Sequence, residues 1–259
     1  MSRRVCAIVP SHNHWKTVGA VVGRLCAVGL QVFLIDDGSD EPARSVLAGL
    51  LDETGGIHVV RLGSNQGKGG AVIAGFRLAL AAGFTHAVQV DADGQHDLDA
   101  LVDLLILSDR HPTALIIGQP IYDGTVPLGR KIGRWMTHIW VWIETLSLNI
   151  ADSMCGFRIY PLAAVAPLLN RKRLGRRMDF DPEIVVRLFW SGTPVVMLPV
   201  KVAYPPGNTS NFDLFGDNWR ITKMHTRLVI AMLLHLPSIL RNRPPHLDRA
   251  GTFFVRREI

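Results

Sequence analysis

Cysteine is scarce: three residues, Cys6, Cys26 and Cys155, with no CxxC pair. That excludes a disulfide framework and a thiolate zinc site, and it suits a reducing compartment. Long apolar runs are also missing. Nothing reaches the roughly 18 residues needed to span a bilayer, and the nearest approach, Leu228 to Leu236, contains His235. The opening MSRRVCAIVPSHNH meets Pro10 and polar residues too soon for a signal peptide, so a cytoplasmic location is expected. Two nucleotide-loop signatures fail as well. In GSNQGKGGA, Gly63 and Gly67 stand one residue too close for a Walker loop, and Gly69 follows Lys68 where Ser or Thr is required. The same stretch follows the third expected strand, not the first, and Val72 breaks a dinucleotide fingerprint.

What is present is a globular composition, 48% hydrophobic and 19% charged over 259 residues. The net charge of +6 favours anionic partners. Apart from RKRLGRR at 171–177, the basic residues are scattered, so no nucleic-acid partner is expected. Short β-rich runs begin at Val5, Val32, Ile57, Ala87 and Leu115, and helical spacing lies between them. This alternation predicts an α/β fold with a mostly parallel sheet covered on both faces. Helices are expected at 130–149 and 182–191, a strand at 195–200, and a helix from about Phe215. The expected division is 1–212 as the main domain, 213–240 as a helical extension and 241–259 as a basic tail.

In such sheets ligands bind beyond the carboxyl ends of the strands. Four polar clusters fall there: PSHNH, DDGSD, RLGSNQGKGG and DADGQH. Asp91 and Asp93, with Gln95 beside them, are hard oxygen ligands suited to Mg²⁺ or Mn²⁺ holding a diphosphate. Asp97 is expected to cap the following helix. Asp37 suits a ribose hydroxyl or a base N–H, with Ser39 or Asp40 capping the next helix. Lys68 opens a Gly-rich helix start apt for phosphate or base contacts. His12 and His14 lack a nearby third ligand for zinc, and lining a nucleotide pocket is the preferred reading.

Together these motifs resemble glycosyltransferase family 2, whose nucleotide-sugar-binding fold is called GT-A. The resemblance runs from Val5 to about Arg227 through IVPSHNH, LIDDGSD, NQGKGGAVIAGF, VDADGQH, DSMCGFRIY and MDFDPEIVVRL. The last three are similar to the polyprenyl-phosphate, dolichol-phosphate-mannose-synthase-like sugar transferases. WRITKMHTRLVIAML resembles bacterial members encoded with aryl-polyene pigment lipids. The resemblance implies a metal-dependent inverting transferase. It would use a UDP- or GDP-sugar and a lipid-linked or pigment-lipid acceptor. Pro10, His12, His14, Asp37 and Lys68 would line the nucleotide, joined by Asp91, Ala92 and Asp93, and Asp91, Asp93 and Gln95 would hold the metal-diphosphate.

The acceptor side departs from the pattern. Gly118-Gln119-Pro120 stands where that subgroup has Gly-Ser-Arg, and Tyr204-Pro205-Pro206-Gly207 replaces a basic loop. Arg130, Lys131 and Arg158 remain as acceptor cations. A hydroxyl acceptor, unlike a phosphate, needs a base, for which Asp152, Asp181 and Glu183 are candidates. Asp181 also reads as a helix N-cap, with Pro182 at the first helical position, and Glu183 as a helix-surface charge. The Trp-rich helix at 135–146 and the basic-apolar segment 219–240 suggest peripheral contact with the inner face of the membrane. A sugar nucleotidyltransferase and a non-catalytic nucleotide-sugar binder are the rival readings. PSHNHWK lacks the Gly-rich, Arg-containing signature of the first.

Overall fold

The computed structural model describes residues 3–51, 56–121, 128–171, 174–202 and 213–245. Its strands are β1 (Val5–Ser11), β2 (Gln31–Asp36), β3 (Ile57–Arg61), β4 (His86–Gln89), β5 (Leu115–Ile121), β6 (Arg158–Pro161) and β7 (Val195–Lys201). They form one sheet in the order β3-β2-β1-β4-β6-β5-β7. All pairings are parallel except those of β6, which runs antiparallel to β4 and β5. The helices are α1 (Val18–Ala27), α2 (Ala43–Ala48), α3 (Lys68–Ala81), α4 (Leu101–Arg110), α5 (Leu128–Thr145), α6 (Leu162–Arg171), α7 (Phe180–Trp190) and α8 (Leu214–Arg241). This is the mixed α/β, mostly parallel architecture that the alternation predicts.

The central strands are continuous apolar runs because helices cover both faces of the sheet. Cys6 to Val9 of β1 and Leu34 to Ile35 of β2 are wholly buried. Register then decides where the polar residues emerge. Ser11 at the end of β1 pairs with Asp36 at the end of β2. Ile8 pairs with Gln89, and the Val90 N–H donates to the Ile8 carbonyl, so Asp91 leaves the sheet beside Pro10 and Ser11. Three polar clusters that are distant in sequence therefore open on one rim.

Several expectations change. β6 and α6 were not anticipated. RIYP is four residues long and fully buried, and its strand residues include an arginine and a proline. The expected helix after Asp97 begins as a 3₁₀ turn at 98–100, and Asp97 caps it by accepting from the Asp99 N–H at 3.0 Å. Neither Ser39 nor Asp40 caps α2, whose N-cap is Pro42. They tie to the loop after β1 instead, through Asn13. α7 starts at Phe180 with Asp179 as N-cap, so Asp181 is not the cap and Pro182 sits third in the helix. A proline there costs little, because first-turn N–H groups have no partner within the helix. α5 ends at Thr145, and Leu146 takes a left-handed φ of 51°. α8 packs on α5 and α7 through Ile221, Met224 and Leu228. Residues 246–259, most of the expected basic tail, lie outside the described residues, as does the Tyr204–Gly207 loop.

Candidate active site

A cavity of about 390 Å³ opens at the carboxyl ends of β1, β2 and β4. Pro10, His12, His14, Asp37, Lys68, Asp91, Ala92, Asp93 and Gln95 all line it, so the residues expected at the nucleotide and the metal are brought together. Ser11, Asn65, Arg177, Met178 and Asp217 also line it.

Asp37 organises the floor. Its two oxygens accept from the Gln66 N–H at 2.7 Å and the Gly67 N–H at 2.8 Å. Burial pushes its carboxyl above the ordinary value, against those two bonds. Gly67 has φ 84°, and a Cβ there would lie 2.5 Å from the Arg176 carbonyl oxygen. Only glycine fits, and the turn then delivers Lys68 to the first turn of α3. Asp36 takes a different role, pairing with Arg61 and accepting from the Ser39 N–H at 2.8 Å.

Asp91 and Asp181 share one cation. Lys68 Nζ donates to Asp91 Oδ2 at 2.9 Å and to Asp181 Oδ2 at 2.8 Å. Burial alone would raise the Asp91 carboxyl, but the Lys68 ammonium and His96 outweigh it and hold Asp91 well below the usual carboxylate range. Asp93 goes the other way: burial and then the neighbouring Asp91 charge push it up, although its Oδ1 accepts from the Gln95 N–H at 3.0 Å. Burial also holds the His14 imidazole below its ordinary value, against the pull of both carboxylates.

Among the described residues no group of three or more His, Cys, Asp or Glu side chains is arranged around a metal position. The donor set nonetheless fits a divalent cation. Asp91 Oδ1 is buried with no hydrogen-bond partner, which is a costly arrangement unless a ligand satisfies it. Mg²⁺ and Mn²⁺ at phosphate sites commonly use one or two carboxylates and take their remaining ligands from water and phosphate. Ser11 Oγ, buried on the same cavity, is likewise without a partner.

Four expected acceptor-side residues are placed elsewhere. Asp152 is buried away from the cavity, bound by Arg134 Nη2 at 2.7 Å and by the N–H groups of Met154 and Cys155 at 2.8 Å. Glu183 is not a surface charge. It is fully buried and accepts from the Gly175 N–H, Arg187 and Arg227. Arg158 is also fully buried, spending its guanidinium on the carbonyls of Cys155, Ser153 and Asp181. Asp181 lies behind Lys68, held also by Gln89 Nε2 at 3.2 Å. The reason is common to all four: a charge without water needs partners, and those found here are inside the protein. Arg130 and Lys131 stand in the first turn of α5, and their side chains lie outside the described residues.

Three residues were not among the expected site residues, although Gly156 stands within the DSMCGFRIY stretch. Gly156 approaches Asp91 so closely that a Cβ would lie 2.2 Å from Asp91 Oδ2. Arg177, from the basic 171–177 run, and Asp217, from the first turn of α8, reach the cavity only through the tertiary fold.

The pattern described as Glycosyl transferase family 2 matches residues 6–165, more than half of the chain. This chain belongs to that family. The glycosyltransferase is 30% identical over 208 residues to the undecaprenyl-phosphate mannosyltransferase of Micrococcus luteus, covering 76% of this chain and 82% of that protein. It is 25% identical over 210 residues to the polyprenol monophosphomannose synthase of Mycolicibacterium smegmatis, covering 77% of each. The GT-A fold is shared with glucosyl-3-phosphoglycerate synthase of Mycobacterium tuberculosis, solved with Mn²⁺, UDP-glucose and phosphoglyceric acid. The TM-score is 0.59 at 16% identity, covering 96% of this chain and 82% of that one. The family and the cavity together make this chain a nucleotide-sugar-dependent glycosyltransferase of the polyprenyl-phosphate sugar transferase kind.

Proposed function

We propose that the chain is a metal-dependent inverting transferase that moves a sugar from a UDP- or GDP-sugar to a lipid-linked acceptor at a membrane face. The observation that carries this is the Asp91–Asp93 pair on the cavity wall, with its buried, unpartnered Asp91 Oδ1. A bound divalent cation would neutralise the departing diphosphate. Lys68 keeps Asp91 ionised and fixed in place, and Arg177 adds positive charge to the wall of the cavity. His12 and Asp37 are coupled by a 3.0 Å contact between His12 Nδ1 and the Asp37 carbonyl, which shapes the nucleotide end. The lipid-linked acceptor is supported by the names of the two relatives. Membrane contact is supported by exposed apolar residues on α5 and α8. No helix among the described residues is long and apolar enough to cross a membrane.

The test is thermal unfolding with UDP, GDP, CDP or ADP, with and without Mn²⁺. Ligand at about a hundred times its dissociation constant adds about 2.7 kcal/mol, on the order of 5–10 °C for a domain of this size. UDP or GDP should produce the shift, Mn²⁺ should strengthen it, and Asp93→Ala should abolish it. Failure of every nucleotide to shift the wild type would overturn the donor reading.

A further inference from the structure

Arg177 and Met178 line the cavity from the segment 174–179, which leads into α7. That segment is fixed along its backbone. Leu174 is buried in the core. The Gly175 N–H donates to Glu183 Oε2 at 2.8 Å, the Arg176 carbonyl accepts from the Gly70 N–H at 2.9 Å, and the Arg177 N–H donates to Asp179 Oδ1 at 3.0 Å. Glycines at the start of α3 leave room for it. A Cβ on Gly69 would lie 2.8 Å from the Gly175 carbonyl oxygen, and one on Gly67 would lie 2.5 Å from Arg177 Cγ. Gly67 is also the residue whose N–H donates to Asp37 at 2.8 Å. Arg177 therefore stands beside Asp37, and its charge is felt there. Burial raises the Asp37 carboxyl, and His12 and Arg177 add to the two N–H bonds that oppose the rise. At the metal end of the cavity, the basic groups beside Asp91 are Lys68 and His96.

Glu183, in the first turn of α7, ties the segment down. It is fully buried, and besides the Gly175 N–H it accepts from Arg187 Nε at 2.8 Å and from Arg227 Nη2 at 2.6 Å. Arg227 belongs to α8, whose first turn brings Asp217 to the same cavity. A buried carboxylate is costly unless donors and opposite charges satisfy it. Here those partners come from the segment, from α7 and from α8, so one side chain joins all three. We propose that Arg177 binds the nucleoside monophosphate part of the donor, and that Glu183 is the positioning residue that holds its segment against α3. This rests on the donor reading above and adds two residues to it. A guanidinium presents five N–H donors in a planar fork. Beside the Asp37 carboxylate it supplies donors where Asp37 supplies an acceptor. The pair suits a nucleoside, whose base and ribose offer N–H and O–H groups together with acceptor oxygens and nitrogens.

Dissociation constants for UDP, GDP, UMP and GMP are read by ligand-observed NMR on the full chain, and those of the diphosphates again with Mn²⁺. Arg177 is exposed, so Arg177→Ala should fold as the wild type does. Binding of the diphosphate and of its monophosphate should weaken by the same factor, with or without Mn²⁺. That factor is about 10–100-fold, the range for a lost hydrogen bond from a charged group. A loss confined to the diphosphate overturns the placement, and unchanged binding overturns the contact. Glu183→Asp keeps the charge that faces Arg187 and Arg227 but withdraws its oxygens from the Gly175 N–H. It should weaken nucleotide binding about tenfold, part of what losing the Arg177 contact costs. Adding Arg177→Ala to it should then cost less than Arg177→Ala costs alone, because the two residues act as one unit. Losses that simply multiply, or wild-type binding in folded Glu183→Asp, overturn the positioning role. Glu183→Gln takes its place in the cycle if the shorter side chain does not fold. If the wild type binds none of the four nucleotides, the donor reading has failed first. If it binds them and the variants bind equally well, this inference fails alone.

Discussion

At the scale of single residues, the site depends on where Asp91 is held. Lys68 pulls it from one side, and Gly156 leaves room for it on the other. Gly156→Ala would place a methyl group 2.2 Å from Asp91 Oδ2, so the carboxylate must move. A misplacement of about 1 Å in a catalytic constellation can cost about 10²-fold in rate. Turnover should therefore fall at least about a hundredfold, while the unfolding midpoint stays within a few degrees of wild type. A variant with unaltered steady-state rates would show that Asp91 has no fixed position to lose. The sequence made the nine strand-end residues legible because each cluster follows an apolar run directly, and a parallel sheet puts all those ends on one rim. Gly156, Arg177 and Asp217 were not legible in the same way. Gly156 meets Asp91 from 65 positions away and Arg177 meets Gly67 from 110, while Asp217 joins the cavity from the first turn of α8, so neither DSMCGFRIY nor the basic run shows what these residues touch.

At the scale of elements, the first half of the chain was the easier to read. β1 to β5 are apolar runs ended by turn chemistry, and their expected positions overlap the observed strands. β6 was not readable, because a buried arginine looks like an exposed residue until its partners are known. Those partners are the carbonyls of Ser153, Cys155 and Asp181, which only the folded chain brings together. Asp152 plays a comparable part for α5. It binds Arg134 on that helix and the two N–H groups at 154 and 155, so it joins α5 to the turn that leads into β6. Burial alone would raise its carboxyl, but Arg134 and then His138 outweigh burial and hold it below the ordinary aspartate value of 3.8. A depressed carboxyl stabilises the fold above its unfolded pKa, and that contribution fades as pH falls through the folded value. Asp152→Asn keeps an oxygen for the two N–H groups but leaves Arg134 without its counter-charge. The cost at neutral pH should be about 3 kcal/mol, the lower end for a broken buried pair because Arg134 keeps some contact with water. The gap between wild-type and variant melting midpoints, followed by circular dichroism, should be full at pH 7 and narrow below about pH 4. A gap that stays constant down to pH 2 would remove the ion pair as its cause.

At the scale of the whole molecule, the α/β class followed from the alternation of apolar runs, and much of the exposed apolar surface of α5 and α8 falls in the two segments singled out from the sequence. α5 and α8 pack together, with Trp140 stacked on His225 at 6.0 Å between ring centroids. Outside that contact α5 exposes Trp135, Met136, Ile139 and Ile143, and α8 exposes Phe215, Trp219, Leu233 and Leu234. Phe215 is 86% and Trp219 70% exposed, which is unusual for large aromatic side chains. They flank Asp217 in the first turns of α8, and Lys223 and Arg227 stand exposed further along the same helix. Aromatic groups with nearby cations suit an anionic membrane surface. The position also suits the chemistry, because a lipid-linked acceptor would meet the protein close to the cavity that Asp217 lines. Purified protein should therefore float with vesicles containing phosphatidylglycerol, float less with pure phosphatidylcholine, and dissociate as salt is raised. Burying one large apolar side chain contributes about 1.5–3 kcal/mol, so Phe215→Ser with Trp219→Ser should lower partitioning at least about tenfold. Nucleotide binding in the double variant should be unchanged, since neither residue lines the cavity. Undiminished flotation of that variant would move the contact away from α8, and no flotation of the wild type with either lipid would mean that these aromatics meet something other than a membrane.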